Sequence, residues 1–499
     1  MIPLSAEEAG RALDRGPLAG PVAGVTTDSR SVRRGDLFVA LRGERFDGHE
    51  YLAKAFAGGA SAAVVAADSV PGRAAVDGFP GHCQPRRDSG GRPLYVVPDT
   101  MVALGRLSRA VRRKSRATVV AITGSVGKTS TKDLILAMAA ETRSVVGTQA
   151  NRNNEIGLPL TLLELREDTE IAVVEMGMRG AGQVAALAAI AEPDVGLVTS
   201  VAPVHLELLG SVEAIGRAKA ELLRGLRPGG VAVIPAGVAA LEEAAATLTR
   251  TVRFGLVARS LEGEQSVPGI DVVGFLGNRP DGAAVVELRW PGGGATVVPP
   301  FKARHRLENI VPALAACYAA GLAPSSCLRG LKEVGFSPQR GDEITLCGVL
   351  ILDDTYNANP PAMRSALDTL VAQVRATGGR AFAILGDMLE LGPEAPAYHA
   401  EVGEYAAQVG VEVLWGVGAN ARLMVERYAE STGGHARDSR WFAEAGGGPT
   451  AGGGPIASAV ARLAAELVEG DVVLVKASRG MRLEGVVDGL RRGLTAREM

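Results

Sequence analysis

Short apolar runs alternate with helical patterns along most of this chain. They read TVVAIT (118–123), IAVVEM (171–176), VGLVTSV (195–201), VAVIP (231–235), GVLILDD (348–354), AFAILGD (381–387) and DVVLVKAS (471–478). Each is rich in β-branched residues, nearly continuous in apolar character, and ends in polar or glycine residues. Strands buried on both faces of a parallel sheet have this composition. Their alternation with helices predicts an α/β protein built on mostly parallel sheets. In such sheets ligands collect at the carboxyl ends of the strands, so the residues that close each run are the ones to inspect.

At 499 residues the chain exceeds one ordinary domain, and three are expected. One boundary is predicted near Arg116, after the basic segment LGRLSRAVRRKSR, and another near Ser337, in the turn-rich GFSPQRGDE. The expected units are a small N-terminal α/β domain (1–116), a central P-loop-type domain with helices on both faces of its sheet (117–337), and a C-terminal Rossmann-like domain (338–499). Two glycine- and proline-rich stretches, 77–93 and 446–455, read as a surface insertion and a flexible loop. No repeat of solenoid length is present.

Composition narrows the function. A net charge of −2 and 4% aromatic residues supply neither the basic field nor the stacking surface of a nucleic-acid binder. The N-terminus has no charged start followed by an apolar core, so no signal peptide is expected. No apolar run is long enough to span a membrane. Cys83, Cys317, Cys327 and Cys347 lack zinc-ligand or C-x-x-C spacing. A reduced, cytoplasmic protein is expected.

The most informative stretch is VVAITGSVGKTSTKDLI, Val119 to Ile135. A phosphate-binding loop usually spells G-x-x-x-x-G-K-[ST]. Here Ile122 stands where its first glycine belongs, leaving a shorter loop of Gly124, Ser125, Val126, Gly127, Lys128, Thr129 and Ser130. An apolar strand runs in and a helical pattern with Leu134, Ile135 and Met138 on one side runs out. Backbone N–H groups from Gly124 to Ser130 can then wrap a polyphosphate at a helix N-terminus. Lys128 would meet the β and γ phosphates and Thr129 would hold Mg²⁺. The Asn-Lys-x-Asp of a G-protein is absent. Glu175 and His205 each end a predicted strand and point to the same crevice. Together they could bind a second divalent ion; singly, they read equally well as a helix cap and a hydrogen-bonded loop histidine.

Six blocks, in order, resemble the Mur ligases, the ATP-dependent amide-forming family of peptidoglycan precursor synthesis. They span Thr27–Ala60, Gln149–Leu163, Val198–Leu223, Asp353–Met363, Ile384–Gly392 and Asp471–Glu484. The shortened G-x-x-G-K-T-[ST] is the family's own form of the loop. Within the family the blocks fit the branch that handles UDP-MurNAc-tripeptide and D-Ala-D-Ala. The resemblance implies that ATP phosphorylates the tripeptide's terminal carboxylate and that the dipeptide amine attacks the acyl phosphate. ATP and Mg²⁺ are the implied cofactors, and a monomer with no nucleic-acid partner is expected.

The resemblance also suggests roles. Lys128, His205 and Lys219 would be catalytic, with Thr129, Glu175, His205 and a carbamylated Lys219 holding metal. Asn309, Arg340 and Asn357 join the glycine loop as nucleotide contacts. Ser29, Arg30, Asp47 and His49 would meet the uridine diphosphate, and Asn153 and Asn154 the muramyl peptide. Asp354, Tyr356 and Asn359 would contact substrate, Asp354 near the incoming dipeptide. Lys476, Ser478 and Arg479 follow a strand end and suit a phosphate or carboxylate. Plainer readings stand beside these. Lys219 reads also as a surface lysine, Asp28 to Arg30 as a turn with an ion pair, and DDTYNANP as an Asx-rich turn before proline. One departure is visible. The family's Gly-x-His-Asn-x-x-Asn appears here as Ala303, His305, Arg306 and Asn309, so an arginine replaces the first asparagine and must stack or bond differently. The rival readings are another amino-acid ligase of the family and a catalytically impaired nucleotide-binding relative. The Asp-Asn-Pro-Arg of a diaminopimelate-adding ligase is missing, and a folate polyglutamate ligase would begin almost at its glycine loop.

Overall fold

The structure is a computed structural model describing residues 1–43, 46–69, 86–88, 90–204, 206–261, 267–279, 283–433, 438–443 and 455–498. Cys83, residues 77–85 of the first glycine-rich stretch and residues 446–454 of the second lie outside the described residues.

Three sheets divide the chain. The N-terminal sheet runs Val25–Thr26, Leu37–Val39, Ala62–Ala66, Pro93–Val97, with Arg86–Arg87 as an antiparallel edge. The end of the predicted insertion is therefore paired β structure. The central sheet has nine strands. Seven are parallel, with Thr118–Thr123 between Val195–Val198 and Ile171–Glu175. An antiparallel hairpin, Ala284–Trp290 and Gly293–Val297, extends its far edge. In the C-terminal sheet, Val472–Lys476 lies between Val349–Asp354 and Ala381–Gly386, all parallel, and Asp342–Leu346 is the antiparallel edge.

All seven apolar runs form strands. The central ones are buried on both faces because helices cover both. Val119 and Ala121 enter one core and Val120 and Ile122 the opposite one, the two-residue period of a pleated strand. The run beginning at Val195 falls furthest short of its predicted end, stopping at Val198. Thr199 Oγ1 instead donates to Val126 O at 2.6 Å, and Val126 N–H donates to Ser200 Oγ at 3.0 Å. These residues brace the glycine loop instead of extending the sheet.

The N-terminal domain shares a core with one face of the central sheet. Helix Thr100–Lys114 carries this contact, and its charged residues are not all solvated. Arg112 is 1% exposed. It donates to the carbonyls of Ala191 and Glu192 (2.9 and 3.0 Å) and to Asp194 Oδ2 (2.6 Å). Burial pushes its pKa down, and the Asp194 carboxylate opposes that. At the other boundary, Ser337 N–H donates to Asp133 Oδ2 at 2.8 Å, tying the link to the C-terminal domain onto the helix that follows the glycine loop.

Candidate active site

Strand Thr118–Thr123 leaves the sheet at Gly124, and helix Lys128–Ala140 begins four residues later. Ile122 is wholly buried in the strand, so the loop is shorter because its first position still belongs to the sheet. Both glycines are required by backbone and space. Gly124 has φ 156° and a Cβ there would lie 1.8 Å from Thr199 Oγ1; Gly127 has φ 84° and its Cβ would lie 2.5 Å from Asn309 Oδ1. The N–H groups of Ser125 and Val126 already bond Ser200. The expected anion cradle is thereby narrowed to the first turn of the helix, which has no side-chain cap and whose amides lack intrahelical partners. Lys128 folds back so that Nζ donates to Gly124 O at 2.6 Å. Burial lowers its pKa and Glu175 partly restores it.

Glu175 closes its strand and is 2% exposed. Its Oε2 accepts from Thr129 Oγ1 at 2.7 Å and its Oε1 from Asn153 Nδ2 at 2.9 Å. It is no helix cap. Ser211 caps helix Val212–Arg224 as its position suggests, with its side chain accepting from Ala214 N–H. Lys219, in that helix, is 1% exposed, so the surface-lysine reading is corrected: it lies on the helix face that buries Ile215 and Leu222. Burial, with Lys128 adding repulsion, drives its pKa well down. It does not line the cleft. His205 lies outside the described residues. Among the described residues no three carboxylates, imidazoles or thiols gather as a metal cluster. Thr129 and Glu175 offer a hydroxyl and a carboxylate oxygen, donors that fit Mg²⁺, an ion that keeps waters and takes phosphate oxygens.

A cleft of about 1280 Å³ separates the glycine loop from the C-terminal domain. It is lined by Lys128, Thr129, Glu175, Asn153, Asn154 and Asn309 on one side, and by Arg340, Asp354, Tyr356, Asn357 and Asn359 opposite. Lys476, Ser478 and Arg479 line it as well. Lys476 Nζ donates to Asp354 Oδ2 at 2.6 Å and to Asn357 O at 2.9 Å. The Arg340 guanidinium lies 3.7 Å from the Tyr356 ring centroid, with Arg479 at 5.4 Å. Two asparagines are partly committed to the fold. Asn154 Oδ1 accepts from Gly157 N–H, and Asn359 Oδ1 accepts from Ala362 N–H to cap the next helix.

Ser29, Arg30, Asp47 and His49 do not line this cleft. Arg30 pairs with Asp28 in a surface turn, and that partner holds the Asp28 pKa at about 2. His49 spends both ring nitrogens internally, one on Asp47 at 2.5 Å and one accepting from Ala66 N–H at 2.9 Å. Sequence reasoning missed Arg179, Gln183, Glu308 and Glu390, which also line the cleft. Arg179 follows strand-end Glu175 in the turn MGMRG and could have been inferred; the others are lone polar residues without a local pattern.

A phosphate-type loop at a parallel sheet's strand ends, closed over by a Rossmann-like domain, defines a nucleotide-dependent α/β enzyme. The chain belongs to the Mur ligase family: models of the Mur ligase catalytic domain, middle domain and glutamate ligase domain match residues 21–112, 122–317 and 340–479. It is 31% identical to a Bacillus subtilis UDP-N-acetylmuramoyl-tripeptide–D-alanyl-D-alanine ligase, over 95% of this chain and 96% of that protein. Among solved structures it resembles MurF from Acinetobacter baumannii, with a TM-score of 0.80, 28% identity and 98% and 99% of the two chains covered. It also resembles Thermotoga maritima MurF in complex with ADP, with a TM-score of 0.76, 27% identity and 97% and 99% covered.

Proposed function

We propose that this chain joins D-alanyl-D-alanine to UDP-N-acetylmuramoyl-tripeptide at the expense of ATP, through an acyl phosphate. The observation that carries the reading is the placement of Lys128 and the Thr129–Glu175 pair across one cleft from Asp354 and Lys476. A carboxylate is a poor electrophile, and phosphorylation turns one of its oxygens into a leaving group. The amine then adds, the tetrahedral intermediate collapses, and phosphate departs.

The chain's own residues have distinct tasks. The first turn of helix Lys128–Ala140 and the Lys128 ammonium hold the polyphosphate. Asn309, Asn357 and Arg340 border the nucleotide, and Asn153 and Asn154 the muramyl peptide. Asp354 suits the dipeptide's ammonium, and Lys476 Nζ, 2.6 Å from its Oδ2, orients that carboxylate. Closure of residues 338–499 over residues 117–337 excludes water that would hydrolyse the acyl phosphate. Residues 1–116 carry the uridine diphosphate end. When bound, Mg²⁺ held by Thr129 and Glu175 would offset phosphate charge. Burial drives the pKa of Lys219 well down, which favours the neutral amine that adds to CO₂ through Nζ, losing a proton to solvent, as the lysine at this place does in related ligases. The resulting carbamate would be a further anionic oxygen donor.

The test is phosphate release by purified protein. Release is expected only when ATP, UDP-MurNAc-tripeptide and D-Ala-D-Ala are all present. Release without the dipeptide, or none with all three, overturns the proposal.

A further inference from the structure

We propose that Arg306 is a positioning residue, pinning the link between the central and C-terminal domains so that Arg340 is presented to the nucleotide. The inference rests on the ligase reading above. Arg306 does not itself line the cleft; its side chain is 8% exposed, inside short helix Arg304–Glu308. One guanidinium touches the link at three points. Its Cζ lies 4.1 Å from the centroid of the Phe336 ring. Its Nη2 donates to Arg340 O and to Asp342 Oδ1, both at 2.9 Å.

Each anchor leads elsewhere. Phe336 meets Phe301 edge-on at 5.0 Å, within the central core. Asp342 opens the C-terminal sheet, and its other oxygen accepts from Gln339 N–H at 2.7 Å. Gln339, at φ 63°, in turn accepts from Tyr356 N–H at 3.0 Å. Between these anchors stands Arg340. Its carbonyl is held by Arg306, while its side chain turns away to stack on Tyr356 and line the cleft. The buried Arg340 Nε has no hydrogen-bond partner among the described residues.

A planar, permanently charged fork can stack and donate at once. Asparagine is too short to reach ring, carbonyl and carboxylate together, and lysine lacks the plane. The arginine at this position thus acts through a second arginine, which does line the cleft.

The experiment compares wild type with Arg306→Asn, Arg306→Lys, Asp342→Asn and Arg340→Ala. It measures KM for each substrate, kcat, and ADP binding by calorimetry. Arg306→Asn should weaken ADP binding and raise KM for ATP by about tenfold, with KM for D-Ala-D-Ala little changed. Arg306→Lys should fall between, and Asp342→Asn should reproduce the effect if Arg306→Asn fails to fold. In an Arg340→Ala background, Arg306→Asn should add little. Unchanged ADP affinity, or the same loss with and without Arg340, overturns the inference. If wild type shows no dipeptide-dependent phosphate release, the ligase reading itself fails; if wild type is active and the variants match it, only the role of Arg306 does.

Discussion

Thr129 and Glu175 meet at 2.7 Å, hydroxyl to carboxylate, although 46 residues separate them in sequence. With Asn153 on its other oxygen, this carboxylate is held by two neutral donors in a buried site. Such a charge is costly unless a cation completes it, and it in turn favours the charged form of nearby Lys128.

Removing that charge tests the pair. Glu175→Gln keeps the shape and should lower kcat by about a hundredfold or more while raising the Mg²⁺ concentration needed for half-maximal rate. Magnesium titration of phosphate release checks this. An unchanged Mg²⁺ requirement would count against a metal at Thr129 and Glu175.

Gly127→Ala places a side chain at φ 84° and against Asn309 Oδ1. The left-handed backbone alone costs about 1–2 kcal/mol, and Asn309 must also move. Thermal denaturation should show the destabilisation and ADP titration a weaker site. Wild-type behaviour in both would mean the loop is slack.

Arg112→Ala strips a buried donor from three carbonyls, Ala191, Glu192 and Ala117, and from Asp194. Breaking a buried pair this way costs about 3 kcal/mol, here at the seam of the N-terminal and central domains. Urea denaturation measures it. A change below about 1 kcal/mol would show that Arg227, which lies 3.5 Å from Asp194, compensates.

His399 predicts an acid limit to stability. It is fully buried; Nε2 accepts from Met388 N–H at 2.9 Å and Nδ1 donates to Ala395 O at 2.6 Å. Burial pushes its pKa below the ordinary value, with Asp387 opposing. The unfolded chain therefore takes up a proton near pH 6.5 while the native state resists until lower pH. Stability is whole above that range and falls as pH drops through it, by at most about 1.4 kcal/mol per pH unit. Thermal melts from pH 8 to 5 should show this slope, and His399→Gln should flatten it.

Residues whose task depends on neighbours along the chain were readable in advance. The strand runs, the Gly124–Ser130 loop and the strand-end position of Glu175 all follow from local periodicity and turn chemistry. Asn154 and Asn359 show where such reading stops. An asparagine beside a polar cluster looks the same whether it binds ligand or accepts from a nearby N–H, and each does the latter with its oxygen. Asp47 and His49 likewise look available and are spent on Arg42, Ala66 and each other.

From its order of residues alone, this protein could be known as a three-part α/β chain with a phosphate loop and a set of polar groups at strand ends, because backbone conformation and apolar burial are set by short-range pattern. Which of those groups face a common cleft, and which are consumed in holding it, was settled by folding. Arg112, within the basic segment, and Arg306, the departure in the family motif, are both buried across domain seams, through partners that include Ala191 and Arg340, 79 and 34 residues away in sequence. Only packing in three dimensions chooses a partner at that distance, since many pairings of charge and carbonyl are equally compatible with the linear pattern.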